Sequence, residues 1–309
     1  MKVIFMGTPD FAVPCLEVLV KEKYDVIGVF TQPDKPKGRG KKVIYTPVKE
    51  TALKHNLEVF QPQRLRDQES VDLIKSMQPD IIIVVAYGQI LPKDILDIPT
   101  HGCINVHASL LPKYRGAAPI NWVILNGEKT TGVTTMYMDV GLDTGDMILK
   151  SEIQIGEDET AEDLHDKLSN LGAEVLKKTL EDFKEGSVHR EKQNHEEATH
   201  THRLTKELGE IDWSKSAEEI RNLIRGLMPW PTAYTFYKGN MMKILKAKVK
   251  DGNQNSPGEI IDVTSEGIHI ATGQGILIVE ELQFSGGKRL AAKDYLRGNS
   301  IEKNVILGV

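Results

Sequence analysis

The stretch from Cys103 to Pro119 constrains this chain more than any other. An apolar run, Cys103 to Val106, ends on His107, and a polar loop punctuated by Pro112, Gly116 and Pro119 follows. The first half reads as a buried strand and the second as the loop at its carboxyl end. In open α/β sheets ligands bind at that end. Side chains alternate along a strand, so Cys103, Asn105 and His107 share one side. An amide and an imidazole therefore sit together at a strand end, beside a loop able to shape a pocket.

The residues before this stretch read as an α/β domain. Lys2 to Met6 is a β-branched and aromatic run, Gly7 to Phe11 a turn, and Phe11 to Lys21 a helix. Only Gly7 occupies the glycine positions of a dinucleotide fingerprint, and Asp10 would repel a pyrophosphate, so neither a nicotinamide nor an ATP site is expected there. Tyr24 to Phe30 is a second strand, Pro47 to His55 and Ser70 to Met77 are helices, and Leu57 to Phe60 is a short strand. The continuous run Ile81 to Val85 suits a strand buried on both faces of a parallel sheet. After the opening stretch come a helix over 118–125, a hairpin of strands over 132–140 and 147–155, and a helix over 160–183. The helix opens on a capping-box pattern, Thr160 to Asp163.

Thr31 to Lys42 carries five cations and one acid among prolines and glycines, which predicts a loop without regular structure. It is either a solvated loop or a basic finger for a polyanion, since Arg and Lys supply phosphate contacts. From 185 to 207 the chain is polar and His-rich and reads as a linker. The spacing of His195, His200 and His202 is not that of a zinc site, and no catalytic metal is expected.

Beyond the linker, short strands separated by turns suggest a small OB-like barrel or a sandwich. Lys246, Lys248 and Lys250 share a strand face, with Lys238 and Lys243 near in sequence. Lys288, Arg289, Lys293 and Arg297 form a second cluster. Residues 207–309 hold thirteen basic and thirteen acidic residues, so any basic face there is local. Three parts are thus expected: a catalytic domain 1–188, a linker 189–207 and a C-terminal β domain 208–309. The net charge of −5 argues against nucleic-acid binding over the whole surface but leaves room for such patches. Two cysteines make no disulfide framework, and no apolar run approaches membrane-spanning length, so a cytoplasmic protein is expected. No apolar stripe is left without a partner, which favours a monomer.

Asn105, His107 and Asp143 are the candidate catalytic residues. Asp143 lies in the tight loop after the next strand. If that strand neighbours Cys103 to His107, its carboxylate reaches the imidazole and orients it. Asn105 offers an amide N–H to an oxygen that becomes negative during attack at a carbonyl. These roles suit acyl or formyl transfer to an amine, through a tetrahedral intermediate. Cys103 shares the strand face and is weighed as a thiol nucleophile against a buried structural cysteine.

At these residues the chain resembles the folate-dependent formyltransferases. Asn105 to Pro112, with Asp143 in the run Asp139 to Gly145, matches their Asn-x-His-x-Ser-Leu-Leu-Pro signature and following Asp. Gly7 to Phe11, Thr31 to Lys42, Tyr114 to Ile120, Ile211 to Trp213 and Pro229 to Pro231 extend the resemblance over the full length, to the branch acting on charged initiator tRNA. The resemblance implies a Rossmann-like formyltransferase domain followed by a small tRNA-binding β-barrel. It also implies 10-formyltetrahydrofolate as formyl donor and the α-amine of methionyl initiator tRNA as acceptor, giving formylmethionyl-tRNA for translation initiation. Ser109, Leu110, Leu111 and Pro112 would contact the folate, and Ala86 to Leu91 would wall the pterin. The loop around Arg39 would meet the acceptor stem. The rival readings are a formyltransferase for a small amine, such as glycinamide ribonucleotide or an amino sugar nucleotide, and an RNA-binding protein without catalysis.

Overall fold

A computed structural model describes residues 1–37, 42–252 and 255–308. The chain divides into two compact units. The first comprises Met1–Pro119, Thr130–Ile153 and His165–Thr201; the second comprises Ile120–Lys129, Gln154–Leu164 and His202–Val309.

The first unit is built on a seven-stranded sheet. Its order is Met147–Gln154, Thr130–Tyr137, Cys103–His107, Ile81–Val85, Lys2–Gly7, Asp25–Phe30, Val59–Phe60. The five strands from Cys103–His107 to Val59–Phe60 run parallel. Every residue of Ile81–Val85 is buried, as a parallel strand covered on both faces requires. Thr130–Tyr137 then pairs antiparallel with Cys103–His107, Ile104 facing Tyr137 and His107 facing Thr134. The rest of the sheet is thus parallel, while the neighbour on the site's far side runs the other way.

Helices Val13–Lys21, Pro47–Lys54 and Gln68–Met77 connect the parallel strands. Pro47–Lys54 starts where Thr46 accepts a hydrogen bond from the Lys49 amide and Pro47 presets the first turn. Helix Ala161–Glu185 opens on the expected box, with Thr160 N donating to Asp163 Oδ2 at 3.0 Å and Asp163 N to Thr160 Oγ1 at 3.2 Å. Further on, its buried Leu168, Leu176 and Leu180 belong to the core, and Thr179 meets the Thr135 hydroxyl at 2.8 Å.

The basic stretch departs from expectation. Lys35–Lys37 pairs antiparallel with Lys42–Ile44, so the flanks of the basic segment are regular strand. Pro36 is tolerated because this two-stranded ribbon is all edge, and an edge strand can spare one N–H. Arg39 and Lys41 lie outside the described residues.

The second unit is antiparallel. Its strand order is Ala233–Tyr237, Asn240–Lys250, Ile276–Phe284, Ile268–Ala271, Ile260–Val263, and Leu290–Ala291 adds to Ile276–Phe284. That last short pairing was not anticipated from the strand pattern. A register shift around Lys246 bends the long Asn240–Lys250 strand. Ile220 and Ile224 of helix Ala217–Gly226 complete a core with Trp213, Ile244, Ile260, Leu277 and Val279. Ser216 caps this helix reciprocally with Glu219. Among the described residues no helix is long and apolar enough to cross a membrane.

Ser216→Ala removes the Ser216 hydroxyl, which accepts from Glu219 N at 3.2 Å and donates to Glu219 Oε2 at 2.7 Å, and keeps the main-chain bond from Ser216 N to Glu219. It should lower stability by about 1 kcal/mol, read as a lower denaturant midpoint with an unchanged slope.

Candidate active site

Asn105 and His107 sit on one face of the Cys103–His107 strand, and they differ in environment. Asn105 is half-buried and its side chain makes no hydrogen bond among the described residues, so its amide is available to a ligand. His107 is 6% exposed. Its Nε2 stands 2.9 Å from the carbonyl oxygen of Tyr114. A carbonyl only accepts, so Nε2 carries the hydrogen. In the neutral ring Nδ1 then holds the lone pair, and it faces Asp143 Oδ2 at 3.7 Å.

Asp143 arrives there by an indirect route. Tyr137 pairs with Ile104, three residues short of His107, so the chain leaves its strand at the end away from the imidazole. The loop must fold back by about 10 Å, at roughly 3.3 Å per strand residue. Asp139 Oδ1 tightens the turn, accepting from Gly141 N at 2.9 Å and Thr144 Oγ1 at 2.6 Å. Gly145 lets the returning chain pass its own strand, since a Cβ there would stand 1.9 Å from the Tyr137 carbonyl oxygen. Asp143 itself has φ +54°, an uncommon value for a residue other than glycine. Its Oδ2 accepts the Gly116 amide at 2.8 Å. Gly116 has φ +102°, and a Cβ on it would meet the Thr201 carbonyl oxygen at 2.6 Å.

The segment Ser109 to Pro112 serves a different purpose from direct ligand contact alone. Ser109 is fully buried, and its hydroxyl donates to the Lys113 carbonyl at 2.7 Å. Thr134 Oγ1 donates to the Ser109 carbonyl at 2.7 Å and accepts from Leu111 N at 3.2 Å. Leu111 packs with Met136 and Met147 in a small core of its own. Leu110 and Pro112 remain half-buried and can face a ligand. Thr134 gave no sign of this role in the sequence, because its hydroxyl matters only once two strands are paired.

Apolar side chains are presented by the loops on either side. Ile90, after the neighbouring strand, is 87% exposed, and Val140 and Leu142 are exposed in the loop carrying Asp143. With the unpartnered Asn105 amide, these residues put apolar surface and a hydrogen-bonding group on neighbouring loops and strand. The backbone after Ile81–Val85 is tied down: the Tyr87 carbonyl accepts from Thr8 Oγ1 at 2.9 Å and Gln32 Nε2 at 3.2 Å. A cleft of about 410 Å³ opens next to this tie, between Gln32, Pro33, Lys35, Ile44 and Tyr45. No group of three or more His, Cys, Asp or Glu suited to a metal occurs among the described residues.

Cys103 belongs to the core. Its thiol is buried, points at the Ile95 carbonyl oxygen 3.9 Å away, and is pushed up to about 12 by burial and by Asp97. A protonated thiol in an apolar setting is not a nucleophile.

A mostly parallel sheet brings an amide, an imidazole and a carboxylate together near one strand end, and the chain belongs to the formyl transferase family. The family described as "Formyl transferase" matches residues 1–180, and "Formyl transferase, C-terminal domain" matches 203–300. Its full-length relatives include the methionyl-tRNA formyltransferases of Alkaliphilus oremlandii, 62% identical, and Clostridioides difficile, 58% identical, each aligned over 100% of both chains. Among solved structures, an N-formyltransferase from Helicobacter canadensis, in complex with folinic acid and dTDP-3-aminofucose, superposes with a TM-score of 0.67. It shares 21% identity and is matched over 90% of this chain and 99% of its own. HypX from Aquifex aeolicus in complex with tetrahydrofolic acid gives 0.61 at 17% identity, over 96% of this chain and 47% of its own. At these identities the likeness extends to the fold.

Iodoacetamide should leave Cys103 unmodified in the native protein while labelling it after denaturation, and Cys103→Ala should keep formyl-transfer activity. Labelling of the native thiol with loss of activity would restore it as a nucleophile.

Proposed function

We propose that this chain transfers the formyl group of 10-formyltetrahydrofolate to the α-amine of methionyl initiator tRNA, giving formylmethionyl-tRNA for translation initiation. The observation that carries the reading is the meeting of His107, Asp143 and a free Asn105 amide in a chain related over its whole length to methionyl-tRNA formyltransferases. When bound, the folate supplies an electrophilic formyl carbon on N10. Asn105 donates to the formyl oxygen as the amine attacks and that oxygen becomes negative. His107 takes the amine's proton on Nδ1, because Nε2–H is engaged by Tyr114. The imidazolium is then held on both sides, by the Tyr114 carbonyl and by Asp143. The bond from the formyl carbon to N10 breaks, and the proton passes to N10. Asn105 and His107 act on the substrate, and Asp143 acts through His107. Leu110 and Pro112 line the folate site, Ser109 and Leu111 shape it from beneath, and Ile90 walls the pterin.

The tRNA is held by separate basic surfaces. The basic segment that includes Arg39 and Lys41 reaches the acceptor stem, and the C-terminal part binds along its lysine-bearing strand face. In this reading 1–188 is the catalytic domain, 189–207 joins it to 208–309, and the enzyme works as a monomer in the cytoplasm, where initiator tRNA is charged and used.

Purified protein should formylate methionyl-tRNA from 10-formyltetrahydrofolate; activity on glycinamide ribonucleotide without activity on charged tRNA overturns the assignment. His107→Ala should lower kcat by about 10²–10⁴-fold and leave tRNA affinity nearly unchanged, and a fully active variant would remove His107 from the mechanism. Reversing the charges of Arg39 and Lys41 should weaken tRNA binding and flatten its dependence on salt. An unchanged slope would return that segment to an ordinary solvated one.

A further inference from the structure

The loop carrying Asp143 is gripped from outside its own hairpin. Gln193 Nε2 donates to the Asp143 carbonyl at 2.9 Å and to the Gly145 carbonyl at 2.8 Å. Its Oε1 accepts from Arg115 Nε at 3.0 Å and Nη2 at 2.6 Å. Two donors and two acceptor positions are all that a side-chain amide has, and all are used. Gln193 is 6% exposed and Arg115 is 3% exposed, so water does not compete freely for these bonds. Arg115 Nη2 also meets His195 Nδ1 at 3.2 Å. Its guanidinium faces no carboxylate among the described residues.

The backbone on either side holds Gln193 at this spot. Glu191 and Met147 exchange both main-chain bonds, at 2.8 and 2.9 Å. His200–Thr201 pairs with Arg115–Gly116, and Thr199 accepts from the Arg115 amide at 2.9 Å. The segment the sequence marks as a linker is therefore strapped along the first unit as far as Thr201.

We infer that Gln193 is a positioning residue for formyl transfer: it fixes the returned turn that presents Asp143 to His107, and Arg115 fixes Gln193. The chemistry of position 193 supports this. A buried guanidinium facing a neutral amide is a costly arrangement, and a carboxylate would be its cheaper partner. A carboxylate cannot donate, however, and the turn needs two donors for the carbonyls of Asp143 and Gly145. Of the side chains that reach this far, the Gln amide satisfies the cation and both carbonyls at once. The turn needs an external hold because Asp143 sits at positive φ on a loop that has doubled back, where local bonding alone leaves it free to relax.

The inference rests on the role given to Asp143 above, and its test separates the two. Gln193→Glu keeps acceptors for Arg115 and loses both donations to the turn. It should melt at or above the wild-type temperature, lower kcat by about 10-fold or more, and keep both KM values within about twofold. In an Asp143→Asn background the same change should cost about twofold or less, because Gln193 acts through Asp143. Wild-type kcat in Gln193→Glu overturns the inference. So does a kcat loss undiminished in the Asp143→Asn background, or an effect confined to KM. Should Gln193→Glu not fold, Gln193→Asn, one methylene too short to span Arg115 and the turn, is read by the same criteria. Full activity of Asp143→Asn alone overturns the role of Asp143, and an inactive wild-type chain overturns the assigned reaction; neither result is produced by an error about Gln193.

Discussion

The site depends on one carboxylate oxygen bonded in one direction and facing another. Asp143 Oδ2 accepts the Gly116 amide at 2.8 Å and confronts His107 Nδ1 at 3.7 Å. The distance to His107 is too long for a hydrogen bond and close enough for a charge to be felt. With the hydrogen on Nε2, the Nδ1 lone pair faces the carboxylate oxygen across this gap. Once a proton arrives at Nδ1 the same pair becomes attractive, and a small closure converts the contact into a charge-assisted bond. The Tyr114 carbonyl supplies the other half, choosing the tautomer before any substrate is present. Preorganisation therefore resides in main-chain groups of residues 114 and 116, which follow the strand that carries the imidazole.

Much of this was legible in the sequence. The buried strands and the shared face of Asn105 and His107 follow from periodicity and from residues placed at a strand end, while the pairing of their strand with the one before Asp143 stood there only as a condition. The route by which Asp143 reaches His107 does not follow from either. In an antiparallel pair the following loop leaves at the opposite end, and its return depends on contacts distant in sequence, such as the close pass of Gly145 over the Tyr137 carbonyl. Gln193 was illegible for the same reason. It stands 50 residues from Asp143 in a polar segment without periodicity, and an amide acquires meaning only from what faces it. Ser109 illustrates the converse. Its hydroxyl closes a turn in a fully buried position, which its place beside the signature residues does not announce.

The basic residues show how far a count of charges differs from a surface. On Asn240–Lys250, Lys246 and Lys248 both face Glu280, at 3.6 and 2.5 Å, while Lys243 and Lys250 make no ion pair among the described residues. In the second cluster Arg289 pairs with Glu281 and Arg297 with Asp294, and Lys288 and Lys293 make no ion pair among the described residues. A phosphate chain approaching this unit gains most from the unpaired lysines, which need surrender only water and counterions. A paired lysine must first share its carboxylate, and that acid repels the incoming phosphate. The salt dependence of tRNA binding should accordingly track the unpaired cations rather than the full count of lysines and arginines. Glu280 thus offsets part of the positive charge that a count of Lys246 and Lys248 would assign to this strand face.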